Sequence, residues 1–150
     1  MSERLPNNYF ERYGNGKIEN ISKVNFHLQQ ALTGSDGIIA TTSDYGIFLE
    51  KLLNNEIVTP SSLEEMKQFI PTDNSHTEGY GLGLRVRNSL YGPYIGHGGR
   101  SIGAGMDLFH FIDKNTTICL STNLGTYIES DLVNLYQGAL FQEIIDAVFQ

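Results

Sequence analysis

Cysteine is nearly missing from this chain: Cys119 stands alone among 150 residues. An internal disulfide is thereby excluded, and so is a zinc site built on paired cysteines. Cys119 lies in an apolar, strand-like run, where a thiol reads as a small buried hydrophobe. Basic residues are also scarce, ten Lys and Arg against seventeen Asp and Glu, for a formal net charge of −7. They are scattered, which argues against nucleic acid as a partner, since phosphate binding needs a positive face. The same scatter offers nothing to an anionic membrane surface. No run is long and apolar enough to span a bilayer. The opening Met1-Ser2-Glu3-Arg4-Leu5-Pro6 lacks the apolar core of a signal peptide, and the compartment stays open. His27, His76, His97 and His110 show no metal-ligand spacing, so no metal and no cofactor is expected.

What remains is an ordinary globular composition, 40% hydrophobic and 18% charged. A chain of this length fits one domain and buries roughly 70% of its unfolded surface. Residues 1–35 are polar, rich in Asn and Gly and weakly periodic, which reads as an irregular connector that packs on something else. Within them, Tyr9-Phe10 and Lys17 to Ile21 suit short strands around the turn-prone Gly14-Asn15-Gly16.

Past residue 35 the pattern sharpens. Thr42 suits a helix N-cap with Asp44 in the first turn, and Tyr45, Phe48, Leu49, Leu52 and Leu53 recur at helical spacing. Thr59-Pro60 opens a second helix, whose apolar face is Leu63, Met66, Phe69 and Ile70 and whose stop is Pro71. The period then changes to two: Tyr80, Leu82, Leu84 and Val86 alternate with Gly81, Gly83, Arg85 and Arg87. Asn88 to Pro93 reads as a turn and Tyr94 to His97 as the returning strand. Met106 to Ile112, a turn at Asp113-Lys114-Asn115 and Thr116 to Asn123 complete the meander. Leu132, Leu135, Tyr136, Ala139, Leu140, Ile144 and Val148 form one face of a closing helix. The polar face of that helix lacks the Lys/Arg bias of a membrane-surface helix. The expected class is α+β, an antiparallel sheet of about three to four strands with two preceding helices and a C-terminal helix.

Two glycine-rich runs carry the chemistry: Tyr80-Gly81-Leu82-Gly83-Leu84 and Gly96-His97-Gly98-Gly99-Arg100-Ser101. Glycine in a strand pattern marks a bulge or a close approach of ligand to backbone. Histidine beside it can donate or accept a proton near neutrality. Together with Gly103-Ala104-Gly105, Ser121-Thr122-Asn123, Gly37 to Asp44 and Val58 to Met66, these runs resemble the C-terminal part of the penicillin-recognising serine hydrolases. That family comprises class C-like β-lactamases, D-alanyl-D-alanine carboxypeptidases and related esterases, largely bacterial. The resemblance runs from about Gly34 to the C-terminus and implies an incomplete β-lactamase-like fold over 36–150. It implies that His97 contacts a substrate carboxylate or moves protons, and that Gly98, Gly99 and Ser101 border the substrate. The backbone N–H of Arg100 would be one of two oxyanion donors, a role worth about 3–4 kcal/mol in a dry, preorganised site.

The departures concern activity. The family nucleophile lies in Ser-x-x-Lys, where a lysine one helical turn away takes the serine's proton. No serine in this sequence has lysine three positions on. Tyr13-Gly14-Asn15 matches the letters of the family's Tyr-x-Asn motif in a turn-like setting and the wrong order, and Ser35-Asp36-Gly37 looks like a turn before a helix. The expectation is a C-terminal fragment of an amide- or ester-cleaving enzyme, inactive alone, with Thr116–Asn123 left as an open sheet edge. That edge would suit a second copy of the chain in a homo-oligomer. The alternative is a non-catalytic module binding a peptide, a cell-wall fragment or a protein partner. A small-molecule or peptide substrate belongs to the complete enzyme in the first reading, and histidine in place of lysine at 97 leans toward carboxypeptidase-like or esterase-like chemistry.

Overall fold

Thr41, one residue ahead of the expected Thr42, starts the first long helix. In the computed structural model, which describes residues 5–31, 38–74, 77–125, 131–134 and 140–150, Thr41 closes a capping box with Asp44. The Asp44 N–H donates to Thr41 Oγ1 at 3.1 Å, and the Thr41 N–H donates back to Asp44 Oδ2 at 3.0 Å. Two orphan helix-end donors are thus satisfied reciprocally. The Thr41 hydroxyl and N–H also hold the Asp44 carboxyl below its usual range.

The elements run β1 (Tyr9–Phe10), β2 (Glu19–Asn20), α1 (Ser22–Ala31), α2 (Thr42–Leu53), α3 (Pro60–Met66), β3 (Ile70–Pro71), β4 (Glu78–Tyr80), β5 (Arg85–Ser89), β6 (Gly92–Arg100), β7 (Gly105–Phe111), β8 (Thr116–Thr122), α4 (Asp131–Asn134) and α5 (Phe141–Phe149). β1 and β2 form a two-stranded antiparallel sheet, and the other six lie in the order β3-β4-β5-β6-β7-β8. Six strands exceed the three to four expected because the Tyr80-to-Val86 run is not one strand. The Gly81 N–H bonds the Leu84 carbonyl at 2.8 Å, and Gly83 takes φ +74°. That left-handed turn is cheap only for glycine. It splits the run into β4 and β5, places Leu82 in solvent and buries Leu84. Ile70-Pro71, expected as the end of a helix, instead pairs with Gly79-Tyr80 as a short edge strand. Proline is tolerated there because an edge strand has N–H groups with no ladder partner.

The chain gathers into two compact units. One comprises Thr41–Gly98 and Asp107–Leu120, the other Met1–Ala40, Gly99–Met106 and Ser121–Gln150. In the first, Leu49 and Leu52 of α2, Leu63 of α3, Leu84, Tyr94, Ile95, Leu108, Phe109, Phe111 and Ile118 are buried. Tyr94 stacks on Phe111 at 4.9 Å and meets Phe109 edge-on at 5.1 Å. Thr59 caps α3 and Pro60 occupies its first turn, as the sequence predicts. Phe48, expected inside, is half exposed, so the buried stripe of α2 is the narrower Leu49/Leu52 pair.

In the second unit the weakly periodic N-terminal stretch carries a helix, α1, which the sequence pattern did not reveal. Its entry is polar: Ser22 Oγ accepts from the Asn8 N–H at 2.9 Å and donates to Asn20 Oδ1 at 2.6 Å. Phe10, Ile21, Ser22 and Asn25 are all buried. Tyr9 pairs in parallel with Leu124, its N–H donating to the Asn123 carbonyl at 2.8 Å and its carbonyl accepting from Gly125 at 2.7 Å. Asn8 Nδ2 donates to the Gly103 carbonyl at 2.8 Å. This is what the N-terminal stretch packs on. Tyr13 is exposed in a turn with Gly14 at φ +60°, the turn-like setting that the sequence predicts. In α5 the buried residue is Ile145, with Val148 half exposed, one position away from the expected Ile144/Val148 face. Leu135, Tyr136, Ala139 and Ser35-Asp36-Gly37, together with the side chain of Leu132, lie outside the described residues.

Candidate functional site

Strand β6 is nine residues long, and its character changes along its length. Tyr94, Ile95 and Gly96 are buried, whereas His97, Gly99 and Arg100 are exposed and Gly98 is half-buried. The change turns on Gly96. A Cβ there would run into the Leu108 carbonyl oxygen and the Phe109 Cα, so β6 and β7 approach more closely than side chains permit. At Gly99 the reverse holds: a Cβ would meet nothing within 4 Å. One glycine is clamped by protein, the other borders open space.

His97 stands between them. Its Nε2 lies 2.8 Å from the Tyr80 hydroxyl, and the two rings meet edge-on with centroids 5.6 Å apart. Both residues belong to the same unit. The ladder explains the meeting. Tyr80 of β4 is opposite Arg85 of β5, and Arg85 is opposite Gly96 of β6, the residue before His97. The Arg85 guanidinium carbon sits 5.4 Å from the Tyr80 ring centroid, within cation–π range. Gly81 lets this corner close, because a Cβ there would collide with the Met66 carbonyl at the end of α3, the same carbonyl that accepts from the Leu82 N–H at 3.0 Å.

Arg100 spends its guanidinium on the main chain, Nη1 donating to the Gly99 carbonyl at 3.0 Å and the Met106 carbonyl at 2.9 Å. That brackets the turn after β6. The Ser101 N–H donates to the Ala104 carbonyl at 2.9 Å, which closes the turn from within and leaves the Ser101 side chain half exposed. His97, Gly98, Gly99, Arg100 and Ser101 thus follow one another along one strand end and its turn. Tyr80 is the residue that sequence reasoning missed. It heads the quoted Tyr-Gly-Leu-Gly-Leu run, but its reach to His97 depends on the Gly81–Leu84 turn, which no spacing rule supplies.

Burial pushes the Cys119 thiol up, and the Asp107 carboxylate adds to this, so the thiolate that a nucleophile needs is disfavoured. Burial raises the Tyr94 hydroxyl, partly opposed by Arg87, whose Nε lies 3.2 Å from Glu78 Oε1. Burial lowers His110, whose Nδ1 sits 3.0 Å from Thr117 Oγ1. Asp107, whose orientation the sequence left open, is buried. Among the described residues no group of His, Cys, Asp and Glu could hold a metal ion. Within the same residues no helix is long and apolar enough to cross a membrane.

The Beta-lactamase family profile matches residues 4–143. The chain belongs to the β-lactamase family. The family match starts well before Gly34, so the N-terminal stretch that packs on the Gly103 turn and on Asn123–Gly125 falls within it. A comparison with curated proteins finds no match. Among solved structures, a D-stereospecific amidohydrolase from Streptomyces sp. superposes with TM-score 0.78 at 22% identity, over 99% of this chain and 40% of its own. The penicillin binding protein from Bacillus halodurans gives TM-score 0.66 at 16% identity, over 97% of this chain and 41% of its own. The D-amino acid amidase from Ochrobactrum anthropi SV3, complexed with D-phenylalanine, gives TM-score 0.51 at 23% identity, over 69% of this chain and 34% of its own. At these identities the likeness is one of fold. The chain spans about two fifths of the length of the first of these family structures.

Proposed function

We propose that this chain supplies the substrate-side wall of a serine hydrolase that cleaves amides or esters through an acyl-enzyme. His97, Gly98 and Gly99 line the substrate, and the Arg100 backbone N–H is one of the two donors that meet the developing oxyanion. Ser101 borders the same strip. The nucleophile and its base, Ser-x-x-Lys, come from another part of the enzyme. The observation that carries this reading is the contrast along β6, where Gly96 is locked against β7 while Gly99 faces open space two residues beyond an exposed histidine. A strand end shaped in this way lets a substrate backbone approach main-chain N–H groups, which is what oxyanion stabilisation requires.

The names of two structural relatives support a narrower reading of the substrate class. Two act on D-configured amides by their names, and the reading that fits this chain best is hydrolysis of an amide or ester next to a D-amino acid residue. β8 lies at the outer edge of the six-stranded sheet. It is the place where a further strand of the complete enzyme, or of a second copy of the chain, adds to the ladder.

The test is intact mass after incubation with penicillin or a serine-reactive fluorophosphonate. The 150-residue chain alone keeps its mass, and the chain joined to a partner segment bearing Ser-x-x-Lys gains one stoichiometric adduct. An adduct on the chain alone would overturn the division of labour proposed here.

A further inference from the structure

We propose that Tyr80 is a positioning residue for His97: its hydroxyl donates to Nε2, holds the neutral ring in the Nδ1–H tautomer, and so makes Nδ1–H the donor offered to a substrate carbonyl or carboxylate oxygen. The consequence for substrate rests on the reading of His97 given above; the tautomer itself does not.

A neutral imidazole has one donor and one acceptor nitrogen, and the partner on one side decides what the other side can do. Here one side is taken. The 2.8 Å separation between Tyr80 and His97 Nε2 is a full-strength contact for a hydroxyl and a ring nitrogen. Among the described residues no other side chain or backbone group hydrogen-bonds the His97 ring. Among the described residues Nδ1 is therefore left without a partner, on an exposed residue.

Arg85 decides the direction of the bond. Its guanidinium lies over the Tyr80 ring, 5.4 Å from the centroid to its carbon. A cation against a phenol withdraws electron density from the oxygen, which strengthens the O–H as a donor and weakens the oxygen as an acceptor. This favours Tyr80 as the donor to His97 Nε2. The edge-on packing of the two rings, at an interplanar angle of 88°, fixes the plane in which Nδ1–H projects. Two contacts, one hydrogen bond and one ring edge, are what an exposed side chain needs to keep a single orientation against water.

The experiment is a long-range proton–nitrogen spectrum of the protein labelled with nitrogen-15 in its histidines. The expected result is that His97 carries its proton on Nδ1 and a lone pair on Nε2. In Tyr80→Phe the ring keeps its edge contact but loses the hydroxyl, and the Nδ1–H share falls about threefold or more, toward the Nε2–H form that free imidazole prefers. Unchanged His27 and His110 signals establish that the variant is folded. An Nε2–H tautomer in the unsubstituted protein would overturn the proposal, whatever the variant does, and so would an unchanged His97 tautomer in folded Tyr80→Phe. In the complete enzyme acting on a D-amino-acid amide, Tyr80→Phe lowers kcat/KM about tenfold. A complete enzyme that forms no acyl-enzyme counts against the reading of His97, and the tautomer result then stands separately.

Discussion

Gly96 and Gly99 lie three residues apart in one strand and answer to different constraints. At Gly96 the neighbour is the β7 backbone, which cannot yield as a flexible side chain would. Gly96→Ala is expected to destabilise the protein by about 1–3 kcal/mol, the usual cost of forcing atoms into a packed interior. Gly99→Ala meets nothing and is expected to leave stability within about 0.5 kcal/mol of the original, typical of surface positions. Urea unfolding of the two variants side by side checks this, and equal losses would refute the distinction. On the function proposed above, Gly99→Ala in the complete enzyme is expected to lower catalysis, where Gly96→Ala is expected to lower stability.

At the scale of elements, α2 shows how local chemistry sets a boundary. Thr41 satisfies the Asp44 N–H, and Asp44 answers with its carboxylate to the Thr41 N–H. Removing the hydroxyl in Thr41→Ala is expected to cost about 1 kcal/mol. Thr41→Ser, which keeps the acceptor, should recover most of that loss. Denaturant midpoints of the two variants decide it, and an Ala variant as stable as the Ser variant would refute the capping role. The β4–β5 hairpin works differently. Its turn is set by Gly83 at φ +74° and by the fit of Gly81 against the Met66 carbonyl at the end of α3. The first of these is a local preference of glycine. The second exists only after α3 has docked, and the Tyr80–His97 contact follows from both.

For the folded protein taken whole, stability should decline toward both ends of the pH range, through two groups in the same unit. Burial lowers His110, so the unfolded chain takes up a proton first. The associated stability is present above the ordinary histidine value of about 6.5 and is lost as pH falls below it. Burial raises Tyr94, so the unfolded chain releases a proton first on the alkaline side. Here the stability is present below about pH 10 and is lost as pH rises beyond it. Unfolding free energies measured from pH 5 to 11 should show both declines. His110→Asn should flatten the acid side and Tyr94→Phe the alkaline side, each without changing the other. Since His110 is only half-buried, the acid-side decline is a gentle slope, not a collapse.

Much of this molecule was legible before folding. Pro60 after Thr59, the Gly14-Asn15-Gly16 turn between two short strands, and the Asp113-Lys114-Asn115 turn are local signals, because caps and turns depend on a few neighbouring residues. His97-Gly98-Gly99 stood out as a candidate only in the company of the Tyr80-to-Leu84 run and Gly103-Ala104-Gly105, because an isolated His-Gly-Gly is more often a plain strand end. The α+β class followed from the change of period from helical to alternating. Long-range packing decided the rest. Tyr80-to-Val86 alternates as a single strand would, and the left-handed turn at Gly83 together with the docking of α3 on Gly81 breaks it in two. Helix α1 has no clear apolar stripe, since its entry buries Ser22 and Asn25, and the Ser22 hydroxyl is met by the Asn8 N–H, fourteen residues away in sequence. Ile145 and not Val148 faces inward on α5 because a helix turns to suit the surface it packs on. The sequence by itself singled out His97, Gly98 and Gly99 as candidates for the wall proposed above. Tertiary structure alone decided that Tyr80, seventeen residues from His97 in the chain, would hold it, because two turns and three paired strands must form before the hydroxyl and the ring meet.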